Sequence, residues 1–134
     1  KRALSCSAPL INQWTLYEFI ATGEYDRNIR LLRQRLSTNK ERMIWCLQQH
    51  MPSCARISNP QGGCVIWVDL GSQYDAVKLF HLALEAGISI TPGLIFSAGK
   101  KYRSCFRLSY GLPWSENLEQ AIKTLSQLTV LAKK

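Results

Sequence analysis

One arginine stands inside an otherwise apolar run of this 134-residue chain. Arg107 is the central residue of the segment CFRLS, residues 105–109, which has the composition of a β-strand. A guanidinium stays charged at any ordinary pH, so a strand that buries Phe106 and Leu108 must give Arg107 either water or an anionic partner. A substrate carboxylate and a carboxylate of the same sheet, such as that of Asp69, are both candidates for that partner.

Other residues could also take part in chemistry, but the sequence around them gives less support for a functional site. Ser37 and Lys40 form a Ser-x-x-Lys pattern, but the surrounding periodicity predicts a long basic helix there, and a motif without its structural context is not a site. His81 and Glu85 are one helical turn apart, yet no third metal ligand is near them in sequence, which favours a helix-surface pair. We expect His50, at a helix end, to interact with the terminal carbonyls.

Cysteine usage indicates free thiols. The five cysteines are odd in number and include no Cys-x-x-Cys pair, which is typical of a reducing compartment. We expect Cys64 and Cys105 to act as small core side chains within apolar strands. Whether Cys54 and Cys64 can pair is left open.

Composition sets the remaining bounds. A hydrophobic fraction of 46% suits one domain with a core, and the net charge of +8 suits either an anionic partner, such as nucleic acid, or a solvated helix face. No apolar run approaches the roughly 20 residues of a membrane span, so we predict a cytoplasmic protein without a membrane partner. The chain lacks an initiator methionine, and we interpret it as a fragment of a longer polypeptide.

The elements that position these residues follow from periodicity and capping signals. We predict an α+β fold in which a small, mostly antiparallel sheet is covered by helices and preceded by a long helical lead-in. Trp14, Tyr17 and Phe19 are expected in a core or an interface. The predicted elements are a helix over 10–22 with Ser7 as N-cap, a long helix over 25–49 that has a weak point at 37–39, a hairpin of strands 54–58 and 64–70, a helix over 75–86, strands 88–91 and 105–110, and a last helix to 132 with Ser115 as N-cap.

Several segments together resemble one family. GISITPGLIF (87–96), CFRLSYGLPW (105–114), YDRNIR (25–30) and NPQGGCVIWVDL (59–70) are similar to the C-terminal small domain of fold-type I pyridoxal-phosphate aminotransferases. The resemblance is greatest to the MocR branch of the GntR-family transcriptional regulators. Asn28 stands where histidine is common in that family, which puts any role of that histidine in doubt.

The resemblance implies a domain organisation and a site. Residues 1–134 would be a single-domain fragment, with 1–52 as a helical lead-in from a missing large domain and 53–134 as a small domain of the aminotransferase type. Arg107 would bind the α-carboxylate of an amino acid. Pro92, Gly93 and Phe96 would shape the pocket loop, although a plain bend with one buried aromatic explains them equally well.

The resemblance also implies a cofactor and partners. The parent would bind pyridoxal phosphate through a lysine, an acidic residue and a phosphate cup on the large domain, so no catalytic residue, cofactor or metal is expected in this fragment. The parent is expected to be a homodimeric regulator that binds DNA through an N-terminal domain and responds to an amino-acid effector. The alternatives are a free-standing aminotransferase, which would be an enzyme, and a basic α+β binding module.

Overall fold

A computed structural model of the chain describes residues 9–99 and 101–134. The chain divides into two compact units, Lys1–Arg35 and Leu36–Lys134. Its elements are α1 (Leu10–Ala21), α2 (Glu24–His50), β1 (Arg56–Ile57), β2 (Val65–Asp69), α3 (Ala76–Glu85), β3 (Thr91–Pro92), a 3₁₀ turn (Gly93–Phe96), β4 (Cys105–Ser109) and α4 (Glu116–Leu131).

The first unit is helical. Pro9 occupies the N-cap position of α1, and Gly23, with a φ of 77°, follows the helix in the left-handed conformation that glycine adopts without strain. The predicted N-cap, Ser7, lies outside the described residues. Every residue of α1 is exposed, including Trp14, so none of its aromatic side chains is buried in a core of residues 9–99 and 101–134.

Helix α2 is unbroken over its 27 residues. The weak point expected at residues 37–39 produces no break, and polar partners compensate for the low helix propensity there. The hydroxyl of Ser37 donates to the Glu41 carboxylate, and the Asn39 amide donates to the Leu112 carbonyl at 2.8 Å. Polar residues of low helix propensity are tolerated where such partners exist.

The sheet is four-stranded and antiparallel, in the order β1-β2-β4-β3. The predicted hairpin of β1 and β2 is present, with Ile57 opposite Val68. Strand β4 lies between β2 and β3, so it is a central strand and carries a neighbour on each side. The strand expected at 88–91 is short and lies slightly later, at Thr91–Pro92.

One face of the sheet belongs to the core. Ile66, Val68 and Phe106 are fully buried, and they cluster with residues of α3, α4 and the C-terminal half of α2. Because side chains alternate along a strand, the residues between them point to the opposite face. The predicted α+β fold, a small antiparallel sheet covered by helices, is confirmed.

Local signals set the helix ends. Ser115 caps α4 as predicted, accepting a hydrogen bond from the Leu118 N–H at 3.2 Å. Asp75 caps α3 in the same way through the N–H groups of Val77 and Lys78. Gly87, with a φ of 74°, follows α3 and turns the chain toward β3.

Candidate functional site

Arg107 lies on the sheet face opposite the core. In β4 it stands across from Trp67 of β2 and across from Thr91 of β3, and directly opposed residues of antiparallel strands share a face. Its neighbour Phe106 points the other way and is fully buried. Arg107 itself is half-buried. Because β4 is a central strand, the neighbouring strands fix the backbone of Arg107, and its side chain points to the partly open face.

The guanidinium of Arg107 packs on an aromatic ring. Its Cζ lies 5.0 Å from the centroid of the Phe96 ring, within the range of a cation–π contact. Phe96 ends the 3₁₀ turn and is 45% exposed, so it is not the buried aromatic that the plain-bend interpretation required. A contact of this kind stabilises the guanidinium at the ring.

Asp69 does not pair with Arg107. The register places Asp69 opposite Cys105, two positions along the strand from Trp67. Its carboxylate accepts from the guanidinium of Arg56 at 2.7 Å, from the hydroxyl of Ser104 at 3.0 Å and from the Gly71 N–H at 2.9 Å. Burial raises the pKa of Asp69, but these hydrogen bonds outweigh it and hold that pKa below its usual range. Among residues 9–99 and 101–134, Arg107 forms no salt bridge.

Pro92 and Gly93 hold the turn that carries Phe96. Pro92 pairs with Phe106 and therefore lies on the core-facing side of the sheet, away from Arg107. Gly93 is buried against the backbone of Tyr102. The structure thus brings Arg107 and Phe96 into contact. Pro92 and Gly93 are close to Phe96 along the chain, but they do not lie on the Arg107 face of the sheet and take no part in this contact.

Two aromatic residues that the sequence did not single out complete this face. The ring of Trp67 meets the ring of Phe96 at 5.7 Å and the ring of Tyr102 at 5.4 Å, both edge to face. Alternation along β2 could have placed Trp67 opposite the core, but pairing it with Arg107 requires the register. We call Arg107, Phe96, Trp67 and Tyr102 the aromatic–arginine face.

The weaker candidates lie elsewhere. Lys40 is in the middle of α2 and donates to the carbonyl of Pro60 at 3.3 Å. His81 is an exposed residue of α3 whose ring packs on Phe80. No group of three or more histidine, cysteine, aspartate or glutamate side chains suited to a metal ion occurs in the described part of the chain.

One of the two cysteine predictions is wrong. Cys105 is buried as expected, and burial raises the pKa of its thiol. Cys64, however, precedes β2 and is exposed, because the turn before the strand places it outside the sheet. Cys46 and Cys54 are also free thiols, and Cys6 lies outside the described residues.

The described residues do not fit pyridoxal phosphate. A Schiff-base lysine must be desolvated or otherwise activated, whereas the lysines of residues 9–99 and 101–134 are exposed or half-buried. Lys78 and Lys134 donate to backbone carbonyls, and Lys123 pairs with Glu119. None of these lysines faces an acidic residue and a phosphate cradle together.

No described helix is both long and apolar enough to cross a membrane.

Comparison with solved structures defines the class of fold. The α-aminoadipate aminotransferase LysN of Thermus thermophilus, solved with N-(5′-phosphopyridoxyl)-L-leucine, matches 98% of this chain with a TM-score of 0.84 and 25% identity. The match covers 33% of the LysN chain. The fold is therefore that of an aminotransferase small domain with its helical lead-in.

Comparison with curated proteins finds transcriptional regulators that are similar in sequence to this chain. No protein-family model matches the sequence. The HTH-type transcriptional regulators YdcR and YjiR of Escherichia coli K12 are 35% and 32% identical to this chain over 93% and 95% of its length. The resemblance to MocR-type regulators and to pyridoxal-phosphate aminotransferases is thereby confirmed. The chain spans 26% and 27% of the lengths of these two regulators.

Proposed function

We propose that this chain is the C-terminal part of a pyridoxal-phosphate-dependent transcriptional regulator of the GntR/MocR type, in which Arg107 binds the α-carboxylate of an amino-acid substrate or effector. One observation carries the proposal. The guanidinium of Arg107 is half-buried against Phe96, on the face opposite the core, and the nearest carboxylate of the sheet, that of Asp69, is bound to Arg56 and Ser104 instead.

Three features of the arrangement suit carboxylate binding. The β-sheet fixes the backbone of Arg107 on a central strand, so the side chain starts from a constant position. The Phe96 ring lies beside the guanidinium, and a planar guanidinium can bind a carboxylate through two parallel hydrogen bonds. Partial burial strengthens those bonds relative to water. The residues of this chain would thus bind and orient the amino acid.

The rest of the parent would supply the remaining functions. We assign pyridoxal phosphate to the part of the parent outside this chain, since the described lysines do not fit it. The regulator relatives are described as HTH-type, which supports a DNA-binding domain in the parent. In this proposal residues 1–52 lead in from the large domain, residues 53–134 form the small domain, and the parent is a cytoplasmic homodimer.

A free-standing aminotransferase is the second candidate for the parent. Its support is the similarity of this chain to LysN over 98% of its length. The two candidates differ in the assays that the full-length parent would pass. A regulator would bind a specific DNA sequence, and its affinity would respond to an amino acid. An aminotransferase would move an amino group from an amino acid to a 2-oxo acid at a catalytic rate.

The test of Arg107 uses the full-length parent loaded with cofactor. Arg107→Ala should weaken amino-acid binding by roughly 2–5 kcal/mol, because a partly desolvated carboxylate loses its partner. Arg107→Lys should be nearly as harmful, because an ammonium cannot reproduce the planar fork. Calorimetric titration with the amino acid measures both effects, and the cofactor absorbance verifies that the cofactor is retained.

The control is Arg42→Ala, which removes an exposed arginine of α2 outside the aromatic–arginine face. The Arg42→Ala protein should bind the amino acid with the affinity of the wild type. An unchanged affinity in a folded Arg107→Ala protein would contradict the carboxylate role and leave Arg107 with a structural one.

A further inference from the structure

The ring of Phe96 needs a neighbour that holds it. Phe96 is the last residue of the 3₁₀ turn and is 45% exposed, so no strand fixes its backbone and no core surrounds its ring. The Arg107 guanidinium packs on this ring, with 5.0 Å between Cζ and the ring centroid. A contact with a ring defines the position of a guanidinium only where the ring itself is held. The residue that holds Phe96 therefore also affects Arg107.

Trp67 is the neighbour of Phe96 on this face. The two rings lie 5.7 Å apart with an angle of 65° between their planes, which is an edge-to-face contact. A second edge-to-face contact, at 5.4 Å and 84°, joins the same indole to the ring of Tyr102. Gly93, at the other end of the 3₁₀ turn, is buried against the backbone of Tyr102. The turn is thus held at its start by the Gly93 contact and at its end by Trp67.

The sheet fixes Trp67 beside Arg107. Trp67 lies in β2, which pairs with β1 on one side and with β4 on the other, and the residue opposite it in β4 is Arg107. Directly opposed residues share a face and have Cβ atoms about 4.5–5.5 Å apart. The two side chains therefore leave the sheet next to each other, and Phe96 contacts both. Trp67 is half-buried and is not a member of the core cluster of the described residues.

We propose that Trp67 is a positioning residue, whose indole holds the Phe96 ring and, through that ring, the Arg107 guanidinium where it binds the α-carboxylate. The inference rests on the proposed role of Arg107 and adds a residue that acts through Phe96 without binding the amino acid. An arginine side chain has several rotatable bonds, and two parallel hydrogen bonds to a carboxylate require one arrangement of them. Without the indole the guanidinium would adopt that arrangement less often, although its charge would remain.

The test uses two ligands that differ only in the α-carboxylate. One is the amino acid that the parent binds most tightly among the twenty standard ones, and the other is the amine in which hydrogen replaces that carboxylate. Calorimetric titration of the full-length, cofactor-loaded parent measures both affinities. Trp67→Leu should lower the affinity for the amino acid by roughly tenfold and change that for the amine by less than about twofold. Trp67→Phe keeps a ring at this position and should lose less affinity.

A second substitution tests whether Trp67 acts through Phe96. Phe96→Leu should also weaken the amino acid selectively, and in that background Trp67→Leu should have little further effect, whereas independent effects would multiply. Trp45→Leu is the matched control, since it removes an indole that is 60% exposed on α2, and it should change neither affinity. Trp67→Met fills space without a ring and replaces Trp67→Leu if the leucine variant does not fold.

The outcomes separate this inference from the proposed function. Equal losses for the amino acid and the amine in Trp67→Leu would indicate a purely structural role and overturn the inference, and so would multiplying effects of the two leucine substitutions. If Arg107→Ala weakens the amino acid while Trp67→Leu leaves it unaffected, the positioning role is wrong and the Arg107 role stands. If Arg107→Ala leaves the amino acid unaffected, or no standard amino acid binds, the proposed function and this inference are overturned together.

Discussion

Gly93 lies so close to Tyr102 that a Cβ at position 93 would stand 2.6 Å from the Tyr102 carbonyl oxygen. It would also stand 2.9 Å from the carbonyl oxygen of Cys105. Both neighbours are backbone atoms, which cannot rotate away as a side chain can. This contact fixes the 3₁₀ turn, which carries Phe96 at its end, against the chain that enters β4, and so it sets the position of the ring that packs on Arg107.

We expect Gly93→Ala to be destabilising by about 1–3 kcal/mol, as overpacking of a tight contact usually is. Urea unfolding of the 134-residue chain measures the change in the free energy of unfolding. Gly62→Ala is the matched control, since a Cβ there meets nothing within 4 Å, and it should change stability little. If the two substitutions changed the free energy of unfolding equally, the close contact of residue 93 with Tyr102 would not contribute to the loss of stability.

The side chain of Asp75 joins the start of α3 to Arg103. One carboxylate oxygen accepts from the Val77 N–H at 2.9 Å, and the other accepts from Arg103 Nη2 at 2.7 Å. Asp75→Ala should lower the free energy of unfolding by about 0.5–2 kcal/mol, the usual loss of an N-cap. Asp75→Asn keeps a capping oxygen and removes only the charge, so its loss should be smaller.

The same residue predicts a pH dependence. Burial raises the pKa of Asp75, but the hydrogen bonds from Arg103 and from the helix N-terminus outweigh it and lower that pKa below its usual range. A carboxyl whose pKa falls on folding contributes stability above its unfolded pKa of about 3.9 and loses it as pH falls through the folded value. The stability difference between wild type and Asp75→Asn should therefore shrink below about pH 4 and be constant from about pH 5 to 7. A difference that grows toward low pH would contradict this assignment.

The free thiols should react at two rates. Cys54 and Cys64 are exposed, whereas Cys46 and Cys105 are buried, and burial raises the pKa of both buried thiols. Because the thiolate is the reactive species, a thiol reagent at neutral pH should modify Cys54 and Cys64 first. All five cysteines should react in denaturant without prior reduction. Peptide mapping after brief labelling identifies the order, and early labelling of Cys46 would refute it.

Helix α1 should cause self-association of the isolated chain. Its large apolar residues are exposed on all sides, with Ile11 at 79% and Trp14 at 66%. Exposed apolar surface of this kind is normally covered by a partner. Sedimentation should show a concentration-dependent mass, which Trp14→Glu should reduce. Asn12→Glu adds the same charge at a polar position of α1 and should leave the association intact. A monomer at all concentrations would count against this expectation.

The features that depend on near neighbours along the chain could be predicted from the amino-acid sequence alone. Ser115 caps its helix because the Leu118 N–H, from which its hydroxyl accepts, is three residues away. Helical periodicity and a glycine end are also local signals, and they located α1, α2, α3 and α4. The residues that carry the family resemblance also lie in short contiguous segments, such as the one around Arg107. The resemblance to the aminotransferase small domain is therefore visible in the sequence.

Contacts between residues far apart in the sequence depend instead on how the chain folds. Asp69 and Trp67 differ by two positions in β2 and point to the same face, so alternation alone could not tell which of them stands opposite Arg107. The register of β2 against β4 places Trp67 opposite Arg107, and the Asp69 carboxylate pairs with Arg56 instead. Contacts of this kind depend on the packing of the whole sheet, and so the exposure of Phe96 and its contact with Arg107 emerged only from the folded chain.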